Sequence, residues 1–141
     1  MIVILLATLW QAPASTVPMK TTVPMKTIEK GMDSQVDKSQ QVIARAAEEW
    51  VKLWREHAGE RGRPSVDFAR EMVVGVFLGS RPTGGFSIEV VGAREEGSAL
   101  VVQYRETRPS PRSVAAQILT SPYHLVTLPQ RAGNVRFEKI E

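Results

Sequence analysis

Cysteine is absent from the 141 residues, so the sequence offers no disulfide framework, no Cys-based zinc site, no thiol nucleophile and no lipid-accepting cysteine. Histidine occurs only at His57 and His124, and no carboxylates stand at ligand spacing beside them, so no metal and no other cofactor is expected. Blocks of like charge are missing as well. Eighteen Lys and Arg against fifteen Asp and Glu leave +3 spread thinly along the chain, a weaker footprint than nucleic-acid binding requires. Long apolar runs are also lacking: Ile2 to Trp10 is uncharged and apolar, but as a helix it spans only about 13 Å, under half of a hydrocarbon core. What remains is a 43% hydrophobic, 23% charged chain. Its length suits one soluble globular domain that buries roughly two-thirds of its extended surface on folding.

The apolar run is followed by Ala12, Pro13, Ala14 and Ser15, a small-x-small pattern of the kind cut by signal peptidase. Residues 1–14 therefore read as a secretory signal, although no positive residue precedes the run. A periplasmic or extracellular location follows, with no membrane insertion after cleavage. Next, Thr16–Thr21 and Thr22–Thr27 are the identical hexapeptide TVPMKT. Two copies are too few to stack a repeat architecture, and Pro18 and Pro24 disfavour a regular ladder, so residues 15–26 are expected to be a flexible leader. The folded domain is expected over 27–141, opening with a short strand at Thr27 to Gly31.

Between Arg45 and Ala58 the order RAAEEWVKLWREHA has a 3.6-residue period. Ala47, Trp50, Val51, Leu53, Trp54 and Ala58 share one side, with Glu48, Glu49, Lys52, Arg55 and Glu56 opposite, which predicts an amphipathic helix over 45–58. Gly59 and the Gly62-Arg63-Pro64 cluster end it. Trp50 and Trp54 fall one above the other on the apolar stripe, as core packing would place them. Strands then dominate residues 66–137. Met72 to Leu78 is apolar throughout and suits a strand buried on both faces. Phe86 to Gly92 and Leu100 to Thr107 alternate apolar and polar residues, as half-buried strands do, and Arg94 to Ala99 supplies a hairpin loop. Gln117 to Leu119, Tyr123 to Leu128 and Val135 to Phe137 are further strand candidates. The connections are too short for helical crossovers, so an antiparallel sheet is expected. The fold class is α+β, mainly antiparallel β, with one early amphipathic helix packed on a strand-rich sheet.

Tests for catalytic chemistry return little. Gly79 to Gly85 opens like a phosphate-binding loop, but Gly85 and Phe86 stand where Lys and Ser/Thr would hold phosphate and metal, and a strand follows instead of a helix. A turn is the better reading, with Pro82 presetting φ and Gly84 or Gly85 taking positive φ. Ser80 or Ser121, His124 and Asp67 could nominally compose a triad, yet no nucleophile-elbow sequence surrounds a serine. Both histidines read as satisfied structural groups, and Glu95 and Glu96 as solvated charges near a hairpin tip. No catalytic residue is expected. If Met72 to Leu78, Phe86 to Gly92 and Leu100 to Thr107 form a meander, the loops Gly79 to Gly85 and Arg108 to Arg112 meet at one end. Arg81, Pro82, Thr83, Gly84, Gly85, Arg108 and Arg112 then form a proline-stiffened surface suited to gripping a partner at little entropic cost.

The run VDFAREMVVGVFLGSRPTGGFSI, Val66 to Ile88, resembles the signature of the PrcB family, in particular its C-terminal domain. Arg105-Glu106-Thr107-Arg108-Pro109-Ser110-Pro111 looks like that family's E-x-x-PGP segment and Leu119 to Val126 like its LT-x-PY-h-V segment. Trp50 to His57 resembles the W-x-x-LW-x-x-H that commonly precedes the domain. The likeness covers about Thr27 to Phe137, with Phe86 in place of the usual Tyr and Ser110 in place of a Gly. The resemblance implies an accessory subunit of a bacterial surface protease complex, one that supports assembly and stability of the protease and has no ascribed catalytic residues. The family's namesake is lipid-anchored, whereas a chain without cysteine implies an exported form lacking that anchor. The function expected is a non-enzymatic, protease-associated binding protein that docks on and stabilises a secreted partner. The alternative is a small secreted hydrolase or glycan-binding domain using Tyr123, His124 and the Thr83 to Gly85 turn.

Overall fold

A strand as apolar as Met72 to Leu78 has no face to offer water, so it needs cover on both sides. The computed structural model, which describes residues 21–141, supplies that cover. In chain order the elements are β1 (Thr21–Val23), β2 (Lys26–Gly31), β3 (Gln40–Ala44), α1 (Ala47–Ala58), β4 (Glu71–Phe77), β5 (Ser87–Glu96), β6 (Ala99–Thr107), β7 (Tyr123–Pro129) and β8 (Val135–Ile140). They form two four-stranded sheets, ordered β2-β7-β4-β3 and β1-β5-β6-β8. Side chains of β4 alternate between two cores, as a two-residue period requires. Met72, Val74, Val76 and Leu78 face the second sheet and pack with Ile88, Val90, Leu100, Val102, Val126 and Leu128. Val73 and Phe77 face α1 and pack with Trp50, Leu53, Trp54, Tyr123 and Leu125. The architecture is thus helix on sheet on sheet, α+β and mainly β, as the pattern predicts.

Three expectations about topology are corrected. The meander does not form, because β4 pairs with β3 and β7 while β5 pairs with β6 in the other sheet. A strand apolar on both faces takes the middle layer, and strands apolar on one face close the outer one. Pairing is not wholly antiparallel either, since β8 runs parallel to β6, with Leu100 opposite Val135 and Arg105 opposite Ile140. No helical crossover is needed because the chain from β6 to β8 travels through β7 in the other sheet. The expected strand at Gln117 to Leu119 is absent; only the isolated bridges Arg81 to Thr120 and Asp33 to Ser121 appear there. Ile118 and Leu119 instead face solvent.

The N-terminal expectation changes too. The second hexapeptide copy is not leader: Thr21, Thr22 and Val23 pair with Glu95, Arg94 and Ala93, and Lys26 and Thr27 pair with Thr127 and Val126. Pro24 does not interfere, because it stands between β1 and β2 where no ladder bond is required. The proposed signal at 1–14 and most of the first copy lie outside the described residues. β3, an edge strand beside β4, adds to the strands that the sequence pattern predicts. Helix α1 starts at Ala47, two residues later than its pattern, because Ala46 is extended and offers no side-chain cap. It ends as predicted at Gly59, whose φ of 62° lets its N–H reach Arg55 O at 3.0 Å.

Candidate functional site

The chain enters β5 and leaves β6 at the same end, where Ser87 stands opposite Thr107. Loops 78–86 and 108–122 therefore start side by side, although no meander brings them there. Backbone hydrogen bonds join them: Arg81 N–H donates to Thr120 O at 2.7 Å, Thr120 N–H returns to Arg81 O at 2.9 Å, and Gly84 N–H donates to Ala116 O at 2.9 Å. Thr120 Oγ1 adds a bond to Thr83 O at 2.9 Å. Gly85 has φ of 87°, and a Cβ there would sit 2.7 Å from Pro109 Cβ. Glycine is thus required twice over, by the left-handed backbone and by the proline beneath it. Gly79 is similarly placed, with φ of 83° and backbone atoms of Asp37 and Ser39 within 3 Å of a Cβ position.

On this base stand the polar heads that the sequence nominated. Arg81 lies over the Phe86 ring at 5.8 Å and donates to Ser80 O. Pro82, Arg108 and Arg112 are exposed, and Arg112 belongs to a tight turn in which Ser110 O accepts from Ser113 N–H. Loop 108–122 also carries exposed apolar side chains, and Met32 follows β2, a set that charge and turn chemistry do not reveal. Val114 is fully exposed, Leu119 is 78% exposed, Ile118 56% and Met32 50%. Met32 and Leu119 line one shallow hollow with Ser34, Ser80 and Ser121. Exposed apolar side chains on a hydrogen-bonded loop pair that also carries arginines have the composition of a protein-contact surface.

Residues 72–129 match the family model described as PrcB C-terminal. This segment is similar to the PrcB C-terminal family, the one its motifs resemble. Searches of curated proteins and of solved structures return no match to the chain. The PrcB segment runs from β4 to β7 and contains both joined loops, whereas α1, β1, β2, β3 and β8 fall outside it. Neither sheet is complete within the segment, so the flanking strands and the helix finish the fold around it.

The nominal triad of Ser80 or Ser121 with His124 and Asp67 is not assembled, because these side chains bond to separate partners or face solvent. His124 is buried between the sheets, with Nδ1 accepting from Val90 N–H at 2.9 Å and Nε2 on Thr27 Oγ1 at 2.9 Å. It serves as a strut, its pKa lowered to about 4 by burial and by the Lys30 charge. Ser121 Oγ donates to Val36 O, Asp67 caps Ala69 N–H, and Ser80 is exposed. Tyr123 and His124, being successive on β7, point to opposite cores and are both buried. They do not converge on the Thr83 to Gly85 turn.

A polar cluster gathers instead around His57, between α1 and the middle sheet. His57 Nδ1 is 2.8 Å from Ser34 Oγ, and Nε2 is 3.2 Å from Glu29 Oε1. Glu29 also accepts from Tyr123 O–H and takes the Arg61 guanidinium as a fork, at 2.9 and 2.6 Å. The fork, assisted by Tyr123 and His57, holds the Glu29 carboxyl down at about 2, while burial lowers His57. Burial, and next the same carboxylate, push Tyr123 upward. Ser34, His57 and Glu29 have the order of a serine triad, but every amide flanking the hydroxyl is engaged. Ser34 N–H goes to Ser121 O, Gln35 N–H to His57 O, and Val36 N–H to Ser34 Oγ itself. No flanking amide is left to receive an oxyanion. The cluster fastens residues 29–36, the helix end and β7 together. Its members are spread from Glu29 to Tyr123 with no motif spacing, which is why composition and pattern missed them.

Proposed function

We propose that this chain is an exported, non-enzymatic accessory protein that docks on a second secreted protein and stabilises it, with a secreted protease as the first partner to test. The observation that carries the reading is that two loops held together by backbone hydrogen bonds carry exposed Val114, Ile118 and Leu119 as well as Arg81, Arg108 and Arg112, with Met32 sharing a hollow with Leu119. Loops already ordered lose little entropy on binding, so apolar burial and arginine contacts convert more fully into affinity. The match of residues 72–129 to the PrcB C-terminal family model supports the same direction. The engaged amides around Ser34 weigh against the hydrolase alternative, and the separation of Tyr123 from His124 weighs against that pair as its site.

The test is affinity capture from culture supernatant with the tagged chain and with Ile118→Asp/Leu119→Asp. A stoichiometric partner retained by the parent and lost by the variant, with unchanged circular dichroism, supports the docking surface. A fall in extracellular protease when the chain is deleted identifies the partner class. No stoichiometric partner and no change in protease level overturn the proposal.

A further inference from the structure

The duplicated hexapeptide is left unexplained by docking, and the contacts of its second copy say what it does. Thr22 and Val23 pair with Arg94 and Ala93 of β5, whereas Lys26 and Thr27 pair with Thr127 and Val126 of β7. One hexapeptide therefore ties the edge of each sheet to the other. Val23 and Met25 pack against the core between the sheets. Lys26 Nζ lies 3.6 Å from Glu71 Oε1, and Thr27 Oγ1 meets His124 Nε2 at 2.9 Å. Each of these groups has its counterpart six residues earlier: Val17 for Val23, Met19 for Met25, Lys20 for Lys26 and Thr21 for Thr27. Pro18 repeats Pro24, the residue that crosses from one sheet to the other. Six is an even number, so a shift by one copy keeps every side chain on its own face.

Connectivity alone separates the two copies. With the first copy seated, Thr22–Thr27 must leave the ladder between Thr21 and Ile28. The ladder is already interrupted at that point, because register passes from Thr27 opposite Val126 to Glu29 opposite Leu125, leaving Ile28 as a bulge. A short excursion at a bulge breaks no additional ladder bond, and closing a loop of this length has a modest entropic cost. We infer that the groove between β5 and β7 is a strand-binding site for the sequence TVPMKT with two resident ligands in the same chain, residues 22–27 and residues 16–21, which exchange by a six-residue slip. The displaced copy then becomes an exposed hexapeptide beside β2. This inference is independent of the docking surface.

A chain without cysteine makes the register directly readable by disulfide trapping. In the full chain, Val23→Cys/Ala93→Cys reports the observed register, Val17→Cys/Ala93→Cys reports the slipped one, and Thr16→Cys/Ala93→Cys controls for random encounter. In a glutathione redox buffer the first two pairs are expected to close within one chain, the second to a smaller extent, and the third to lag both. Absence of the Val17 bridge, its appearance only between chains, or an equal yield from the Thr16 control overturns the inference. Melting temperatures give a second readout. Val17→Asp is expected to be neutral, Val23→Asp to be mild because the first copy slides in, and the double variant to show a drop at least twice that of Val23→Asp. A Val23→Asp drop equal to that of the double variant also overturns it.

Discussion

Acid should weaken this fold through His124, and the amount can be worked out. The imidazole joins the two sheets by accepting Val90 N–H on Nδ1, a bond that only the neutral ring can make. Its folded pKa of about 4 lies below the ordinary 6.5, with burial as the main cause and Lys30 next. The unfolded chain therefore binds the proton more readily, so the stability present above about pH 6.5 is lost as pH falls toward about 4. Between about pH 7.5 and about pH 4.5 the linkage relation puts the loss from this one group at about 2.5 kcal/mol. His57, also lowered, pushes the same way from about pH 6.5 downward, and Glu29, held at about 2, does so as pH falls below the usual carboxylate range. Subtraction isolates His124. Urea unfolding of the parent and of His124→Asn, which keeps an uncharged acceptor near Nδ1, should show a lower starting stability for the variant but a smaller loss on acidification, by about 2.5 kcal/mol. Parallel pH profiles for the two proteins would refute the assignment of His124 as a neutral inter-sheet strut.

Gly85→Ala should lower stability by about 1 to 3 kcal/mol, read as a fall in melting temperature, since it places a Cβ at positive φ against Pro109. Gly92→Ala meets nothing within 4 Å and should change stability far less. Glu29→Gln leaves the Arg61 fork and Tyr123 hydroxyl short of their shared acceptor, so a loss of about 2 kcal/mol is expected in chemical unfolding. An unchanged midpoint would show that the cluster around His57 is not a clamp. Trp54→Ala removes a side chain that is buried against Trp50 and His57 and bonded through Nε1 to Arg61 O, and should cost roughly 3 to 5 kcal/mol; calorimetry of the purified variant measures it.

Local pattern settled a good deal in advance. The 3.6-residue stripe of α1, the two-sided apolarity of β4 and the alternation of β5 and β6 each follow from which faces of one segment must leave water, and that is information a short window carries. Gly85 of the PTGG turn was legible for the same reason, since a demand for positive φ is local. The tertiary structure alone decided which strands became neighbours, because an apolar face specifies that it be covered and not by what. Thus β4 went to the middle of one sheet, β8 lay parallel to β6, and TVPMKT, polar and proline-bearing by itself, became a strand once β5 and β7 offered an edge. The cluster of Glu29, Ser34, His57, Arg61 and Tyr123 was likewise decided by folding, since hydrogen bonds between residues up to 94 positions apart leave no spacing to read.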